Sequence, residues 1–183
     1  MTAGSERWIA LLRAVNVGGN NKVPMAELRA LMAGLGVTDA RTLLQSGNLV
    51  FTAPGTAAEW EARLEGEIAA RIGPRIDVVL RTAGEWRALM AANPFPETAE
   101  TLPNRLLVTA LKAAPGEEAA RRLEASVTGP ERLRIIGREV FVAYTDAMVE
   151  SRLTNVVIEK ALGRRGTARN WNTVGKLAAL AEA

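Results

Sequence analysis

The 183-residue chain contains no cysteine and no histidine. Without thiols there is no disulfide framework, no thiolate nucleophile and no thiolate metal site; without imidazole, the commonest general base and metal ligand are gone. Aromatic residues are scarce, with four tryptophans, three phenylalanines and a single tyrosine, Tyr144. That is a small stock for a platform on which bases would stack. No apolar run reaches the roughly 20 residues needed to span a bilayer, and the run at 8–12, interrupted by Arg13, is too short for a secretory signal. The expectation is a cytoplasmic protein with no membrane partner. What is present, 48% hydrophobic and 23% charged residues, is the composition of a globular protein that buries a sizeable core. The formal charge of +3 is small, but five cations, Lys160, Arg164, Arg165, Arg169 and Lys176, follow one another with no acidic residue between them. They form either a local positive field or a solvated basic loop.

The order of elements can be read from periodicity. Segment 7–15 (RWIALLRAV) is apolar at nearly every position, the pattern of a central strand covered on both faces, with Arg13 as the exception. A loop rich in asparagine and glycine follows. Pro24 suits a helix start, Met25, Leu28, Met32 and Leu35 share one helical stripe, and Gly36 is a stop signal. Strands at 41–45 and 49–52 flank a turn at Ser46-Gly47-Asn48. Trp60, Leu64, Ile68 and Ile72, four apart, define a second helix that ends at Gly73-Pro74, and 76–81 reads as a strand. The glutamates between those apolar positions, Glu59, Glu61, Glu65 and Glu67, take the place of a solvated face.

This β-α-β-β-α-β order is the ferredoxin-like one, and the second half runs through nearly the same order. A linking helix spans 82–93, and 93–103 is a loop that sets the division into an N-terminal half, 1–93, and a C-terminal half, 94–183. A strand at 105–111, a helix at 116–126, a hairpin about Gly137-Arg138 and a helix at 151–162 capped by Gly163 then follow. A short connector, itself readable as a strand, leads to a last helix from Trp171, with Val174, Leu177 and Leu180 on its inner stripe. The fold class is α+β: two ferredoxin-like halves with a C-terminal helix. The repeat is one of topology, with little residue identity.

In such a sheet the first two strands point the same way, so the loop after strand one and the turn after strand two share one end. That gathers Asn16, Gly18, Gly19, Asn20, Asn21 and Lys22 with Gln45, Ser46 and Asn48. Amides, a hydroxyl, glycines and a lysine suit an anionic ligand, and they equally suit the backbone of two tight turns. The loop lacks both the phosphate-loop spacing and the dinucleotide glycine pattern. Arg13 must find a carboxylate, carbonyls or a ligand. Asn170 can cap the last helix, which sets free backbone N–H groups beside Arg169, Asn172, Thr173 and Lys176, while Trp171 offers either a stacking face or a core side chain. Asp146 reads as a turn former. No nucleophile and base stand as a pair, no metal site is indicated and no cofactor is called for.

The segments LLRAVNVGGNNKVPMAELRALMAGLG (11–36), TLLQSGNLVF (42–51), SRLTNVVIEKALG (151–163) and ARNWNTVGKL (168–177) resemble the bacterial family called domain of unknown function 1697. The likeness covers nearly the full length. It departs from the family pattern at Ala14, where a glycine is expected, and at Leu43, where an aromatic residue is common. The resemblance implies an α+β fold of ferredoxin-like units and supplies no reaction, cofactor or partner.

Three functional readings follow. The first is a binder of a phosphate-bearing ligand, either nucleic acid or a phosphorylated small molecule. Here Arg169 and Lys176 would neutralise phosphate, Asn170, Asn172 and Thr173 would bond it, and Asn16, Lys22, Gln45 and Asn48 would form a second surface. The second is an enzyme on a small anionic metabolite, with Arg13 or Lys22 holding substrate and Tyr144 or a carboxylate moving a proton. The third is a protein-interaction module whose polar motifs only maintain register. The sequence carries no signature of oligomeric state.

Overall fold

The computed structural model describes residues 4–145 and 151–183, so Asp146 lies outside the described residues. The chain divides into two compact units, residues 1–88 with 177–183, and residues 89–176. In the first unit, β1 (Glu6–Leu12) is the hub. It pairs antiparallel with β3 (Asn48–Ala53) on one side and with β4 (Val78–Thr82) on the other, and β2 (Thr38–Leu43) lies outside β3, giving the order β2-β3-β1-β4.

Two helices, α1 (Met25–Gly34) and α2 (Ala57–Arg71), supply the rest of the core. Their buried side chains Leu28, Met32, Trp60, Leu64 and Ile68 meet Trp8, Ala10, Leu12, Leu49 and Phe51 from the sheet. Alternate residues of the same strands, Ile9, Leu11, Val50 and Val79, are also buried. This is why segment 7–15 is apolar without alternation.

The ends of these elements follow local chemistry. Thr56 and Glu59 form a reciprocal cap on α2, with Thr56 N–H donating to Glu59 Oε2 (2.7 Å) and Glu59 N–H to Thr56 Oγ1 (3.3 Å). Two other glutamates of α2 correct the sequence expectation of a solvated face. Glu65 Oε1 accepts from Val78 N–H at 2.8 Å and Glu61 Oε1 from Leu80 N–H at 2.9 Å. Edge strand β4 would otherwise present those donors to solvent or to another chain, and the carboxylates occupy them. Arg7 fastens the last residues of the chain to this unit, donating from Nε to Ala181 O and from NH2 to Leu180 O, both at 3.2 Å, and pairing with Asp39 at 2.8 Å.

The second unit repeats the plan. Strands β5 (Leu106–Leu111), β6 (Arg132–Ile136), β7 (Glu139–Ala143) and β8 (Gly166–Asn170) take the order β6-β7-β5-β8. Helices α5 (Glu117–Ser126) and α6 (Asn155–Leu162) pack Leu123, Ile158 and Leu162 on Leu111, Val140, Val142 and Tyr144. After each sheet the chain enters a helix capped by the last strand residue. Thr82 caps α3 (Ala83–Ala91) and Asn170 caps α7 (Trp171–Glu182), accepting from Glu85 N–H and Thr173 N–H respectively, both at 3.0 Å.

The repeat is visible in the ladder itself. Leu12 pairs with Val78 and Leu111 with Gly166, so Val78 and Gly166 are equivalent, and each donates its N–H at 2.8 Å to a helix glutamate, Glu65 or Glu159. Just past the central strands, Arg13 N–H donates to Asp77 O and Lys112 N–H to Arg165 O, both at 2.9 Å. The α+β class with two ferredoxin-like halves is therefore what the chain adopts.

Two segments differ from the sequence reading, and a third, the strand-like connector, extends it. Segment 93–103 is not purely loop: it contains α4 (Pro96–Thr101), begun by Pro96 in the first turn, where its missing N–H is harmless, and a 3₁₀ turn at Pro103–Arg105. The connector before α7 is a full strand, β8. Helix α6 starts at Asn155 because Thr154 caps it, accepting from Val157 N–H at 3.3 Å. Among the described residues, no helix is long and apolar enough to cross a membrane.

Gly166 marks a close approach, since a Cβ there would lie 2.7 Å from Ala110 O and 2.9 Å from Leu111 Cδ2. Gly166→Ala is expected to destabilise by about 1–3 kcal/mol. Gly175→Ala, in open space on α7, is expected to stabilise by roughly 0.5–1 kcal/mol through helix propensity. Urea denaturation of the two variants tests this, and shifts in the same direction would contradict the packing account.

Candidate functional site

The loop after β1 and the turn after β2 meet, as their shared end of the sheet requires. Asn16 stands at the junction. Its Nδ2 donates to Val23 O (3.0 Å) and to Gln45 O (2.7 Å), its Oδ1 accepts from Val23 N–H (2.9 Å), and its own N–H donates to Asn21 O (3.1 Å). Asn21 Nδ2 donates to Ala14 O at 3.2 Å. Asn48 has no exposed surface, and its Nδ2 donates to Leu43 O (2.8 Å) and Ser46 Oγ (3.0 Å). These amides hold backbone to backbone. Facing solvent at this end are the tip glycines Gly18 and Gly19, Asn20, Lys22 and Gln45, together with the apolar side chains of Val17 and Leu44, while Arg13 is half-buried.

The backbone there is unusual. Ala14 (φ 52°), Asn16 (φ 55°), Asn21 (φ 47°) and Leu44 (φ 59°) all occupy the left-handed region. Asparagine tolerates it, whereas alanine and leucine do so under strain. This explains the glycine expected at position 14, since that residue would adopt the conformation freely. Gly47 (φ 76°) cannot be replaced easily, because a Cβ would meet Val15 Cγ2 at 2.5 Å and Leu12 Cβ at 2.8 Å.

The C-terminal cluster belongs to the second unit, and β8 splits it. Lys160, Arg164 and Arg165 are exposed before the strand, whereas Asn170 to Lys176 follow it, roughly 13 Å further along at the usual rise per strand residue. Arg169 lies between them and is 8% exposed, donating from NH1 to Thr167 Oγ1 and Ala168 O, both at 2.8 Å. Burial pushes its pKa down to about 10, so it stays charged at neutral pH. Asn170 Oδ1 is committed to the α7 cap, Thr173 is buried, Trp171 is half-buried, and Asn172 and Lys176 are exposed.

Arg169 has a counterpart that the sequence reading missed. Ile9 pairs with Arg81 as Val108 pairs with Arg169, and Arg81, 1% exposed, likewise donates from NH1 to the carbonyl before it, Leu80 O, at 2.8 Å. The signal was available: in both halves an arginine immediately precedes the residue that caps the following helix. Tyr144, a candidate proton mover, donates its hydroxyl to Leu153 O at 2.6 Å. Burial, with a contribution from the Glu131 carboxylate, pushes its pKa up to about 12, so it keeps its proton through the neutral range. Among the described residues, no group of three acidic side chains is placed to hold a metal ion.

A basic grouping emerges instead at one end of the second sheet. Leu111 N–H donates to Arg138 O and Lys112 N–H to Arg165 O, both at 2.9 Å, while Arg164 Nε donates to Ala114 O at 3.0 Å. Three separate loops thereby bring Lys112, Arg138, Arg164 and Arg165 together, with Lys160 on the helix that leads in. Sequence inspection found only the contiguous part of this set.

The Asn48 amide is expected to contribute through the turn it holds. Asn48→Ala removes the buried amide's bonds to Leu43 O and Ser46 Oγ and should lower stability by about 1–3 kcal/mol, read as a drop in the urea midpoint. Asn16→Ala should do the same at the partly exposed junction, by a smaller amount.

Across the whole chain the fold is similar to that of a conserved bacterial protein from Streptococcus pneumoniae, with a TM-score of 0.78, 22% sequence identity, and coverage of 98% of this chain and 100% of that one. No curated protein matches. Residues 5–141 match the family described as a protein of unknown function, DUF1697; the match takes in the loop, the turn and the first seven strands up to the end region of β7. With three-quarters of its length matched, the chain belongs to that family.

Proposed function

We propose that the protein binds a phosphate-bearing ligand, nucleic acid or a nucleotide-like molecule, at the end of the second sheet where Lys112, Arg138, Arg164 and Arg165 gather. The observation that supports this reading is the convergence itself. Backbone hydrogen bonds that continue the β5 ladder fix Lys112, Arg138 and Arg165 around one strand end, and the Arg164 side chain donates to Ala114 O beside them. Guanidinium groups match phosphate oxygens in pairs, and their fields add irrespective of local partners.

The buried alternate faces of the strands offer no stacking platform. Contact would therefore be with phosphate and independent of base sequence. In a fluorescence anisotropy titration against short mixed-sequence RNA and DNA, log affinity should fall linearly with log salt. Replacing Arg164 and Arg165 together by Glu should weaken binding by at least about tenfold and reduce the salt slope by roughly two. Absence of binding at low salt, or an unchanged slope in the variant, overturns the proposal.

A further inference from the structure

Helices α5 and α6 begin and end, respectively, near the basic cluster. At their other ends lies a cavity of about 410 Å³. Its apolar lining comes from Leu123, Val127, Leu153 and Val157, and two residues of opposite charge, Glu131 and Arg152, also line it. The volume is within the range of small-ligand sites.

The wall that carries the charges is firmly built. Ser151 Oγ donates to Glu131 Oε1 (2.6 Å) and accepts from Leu153 N–H (3.1 Å), and Leu153 O accepts the Tyr144 hydroxyl (2.6 Å). Glu131 is thus held by one oxygen, with Oε2 turned towards Gly129, where a Cβ would stand only 2.5 Å from it. Among the described residues, Glu131 and Arg152 form no ion pair, either with each other or with a third group. A carboxylate and an exposed guanidinium that line one cavity without pairing with each other are complementary to a molecule carrying both charges.

We infer that this cavity binds a zwitterionic α-amino acid with an apolar side chain. The ammonium is held by Glu131 Oε2, the carboxylate by Arg152, and the side chain rests on Leu123, Val127, Leu153 and Val157. Both charged contacts are hydrogen bonds between ions, so removing either ligand charge should weaken binding by about tenfold or more. The site is separate from the basic end and stands or falls independently of it.

The experiment is thermal denaturation of the full chain with L-leucine and L-phenylalanine, alongside N-acetylphenylalanine, which lacks the ammonium, and phenylalanine amide, which lacks the carboxylate. The free amino acids should raise the melting temperature in a concentration-dependent way, and both derivatives should do so at least about tenfold less effectively. In Glu131→Gln the penalty for N-acetylation should shrink towards nothing, and in Arg152→Met so should the penalty for amidation. Gly129→Ala leaves every charge in place but displaces Glu131 Oε2, and it should weaken the amino acids while leaving the unliganded melting temperature nearly unchanged. The inference is overturned if neither amino acid shifts the melting temperature up to roughly 10 mM, the weak end of specific affinity. Equal effectiveness of the derivatives and the parent overturns it too.

Discussion

The arrangement of each unit depends on one central strand whose hydrogen bonding does not stop at its end. In the first unit the β1 ladder continues through Leu12 N–H to Gly47 O and Arg13 N–H to Asp77 O; in the second, the β5 ladder continues through Leu111 N–H to Arg138 O and Lys112 N–H to Arg165 O. These extra rungs tie three loops to the tip of one strand. What a sequence places on those loops then becomes a single surface. In the first unit it is asparagine and glycine, whose amides bond the loops to each other; in the second it is lysine and arginine, whose side chains donate hydrogen bonds and cannot accept them.

How much of this could be read from the chain alone follows from which interactions are local. The uninterrupted apolar run of β1, the four-residue spacing on α2 and the glycine stop at Gly163 are patterns within one element, and each marks the element it should. The meeting of loop and turn followed from topology, because parallel first and second strands leave no other place for those residues. Strand β8 was harder. Its sequence, Gly-Thr-Ala-Arg-Asn, has little β character, and it is a strand because β5 offers it an open edge and because Gly166 permits an approach that a side chain would block. Glu61 and Glu65 were read as solvated because periodicity places them between buried positions. Only the structure shows that the polar face of α2 borders an edge strand. Arg81 escaped notice because one charge in an apolar strand looks like an exception until its counterpart, Arg169, is aligned through the ladder.

The candidate site divides along the same line. Residue types were readable, since asparagine, glycine and lysine in a loop announce a polar turn. Their hydrogen-bond partners were not. An amide that could reach a ligand and an amide that clamps two loops have the same letter in the sequence, and the difference lies in whether carbonyls such as Val23 O and Gln45 O come within reach. The basic grouping was hidden for the complementary reason that its members, Lys112, Arg138 and Arg164, are far apart in sequence and adjacent only through backbone pairing.

The matched ladders have a consequence for the ancestry of the chain. A pattern carried by main-chain rungs and helix glutamates survives when nearly every other side chain has changed, so two halves with little identity can descend from one segment that was copied in tandem. On that reading the ends of the two central strands are where the two copies differ most. One carries a self-bonded knot of amides and strained backbone, intolerant of replacement, while the other carries lysine and arginine. Aligning the halves by rungs rather than by letters places Arg13 on Lys112, Gly47 on Arg138 and Asp77 on Arg165, and it is at these positions that the two copies went separate ways.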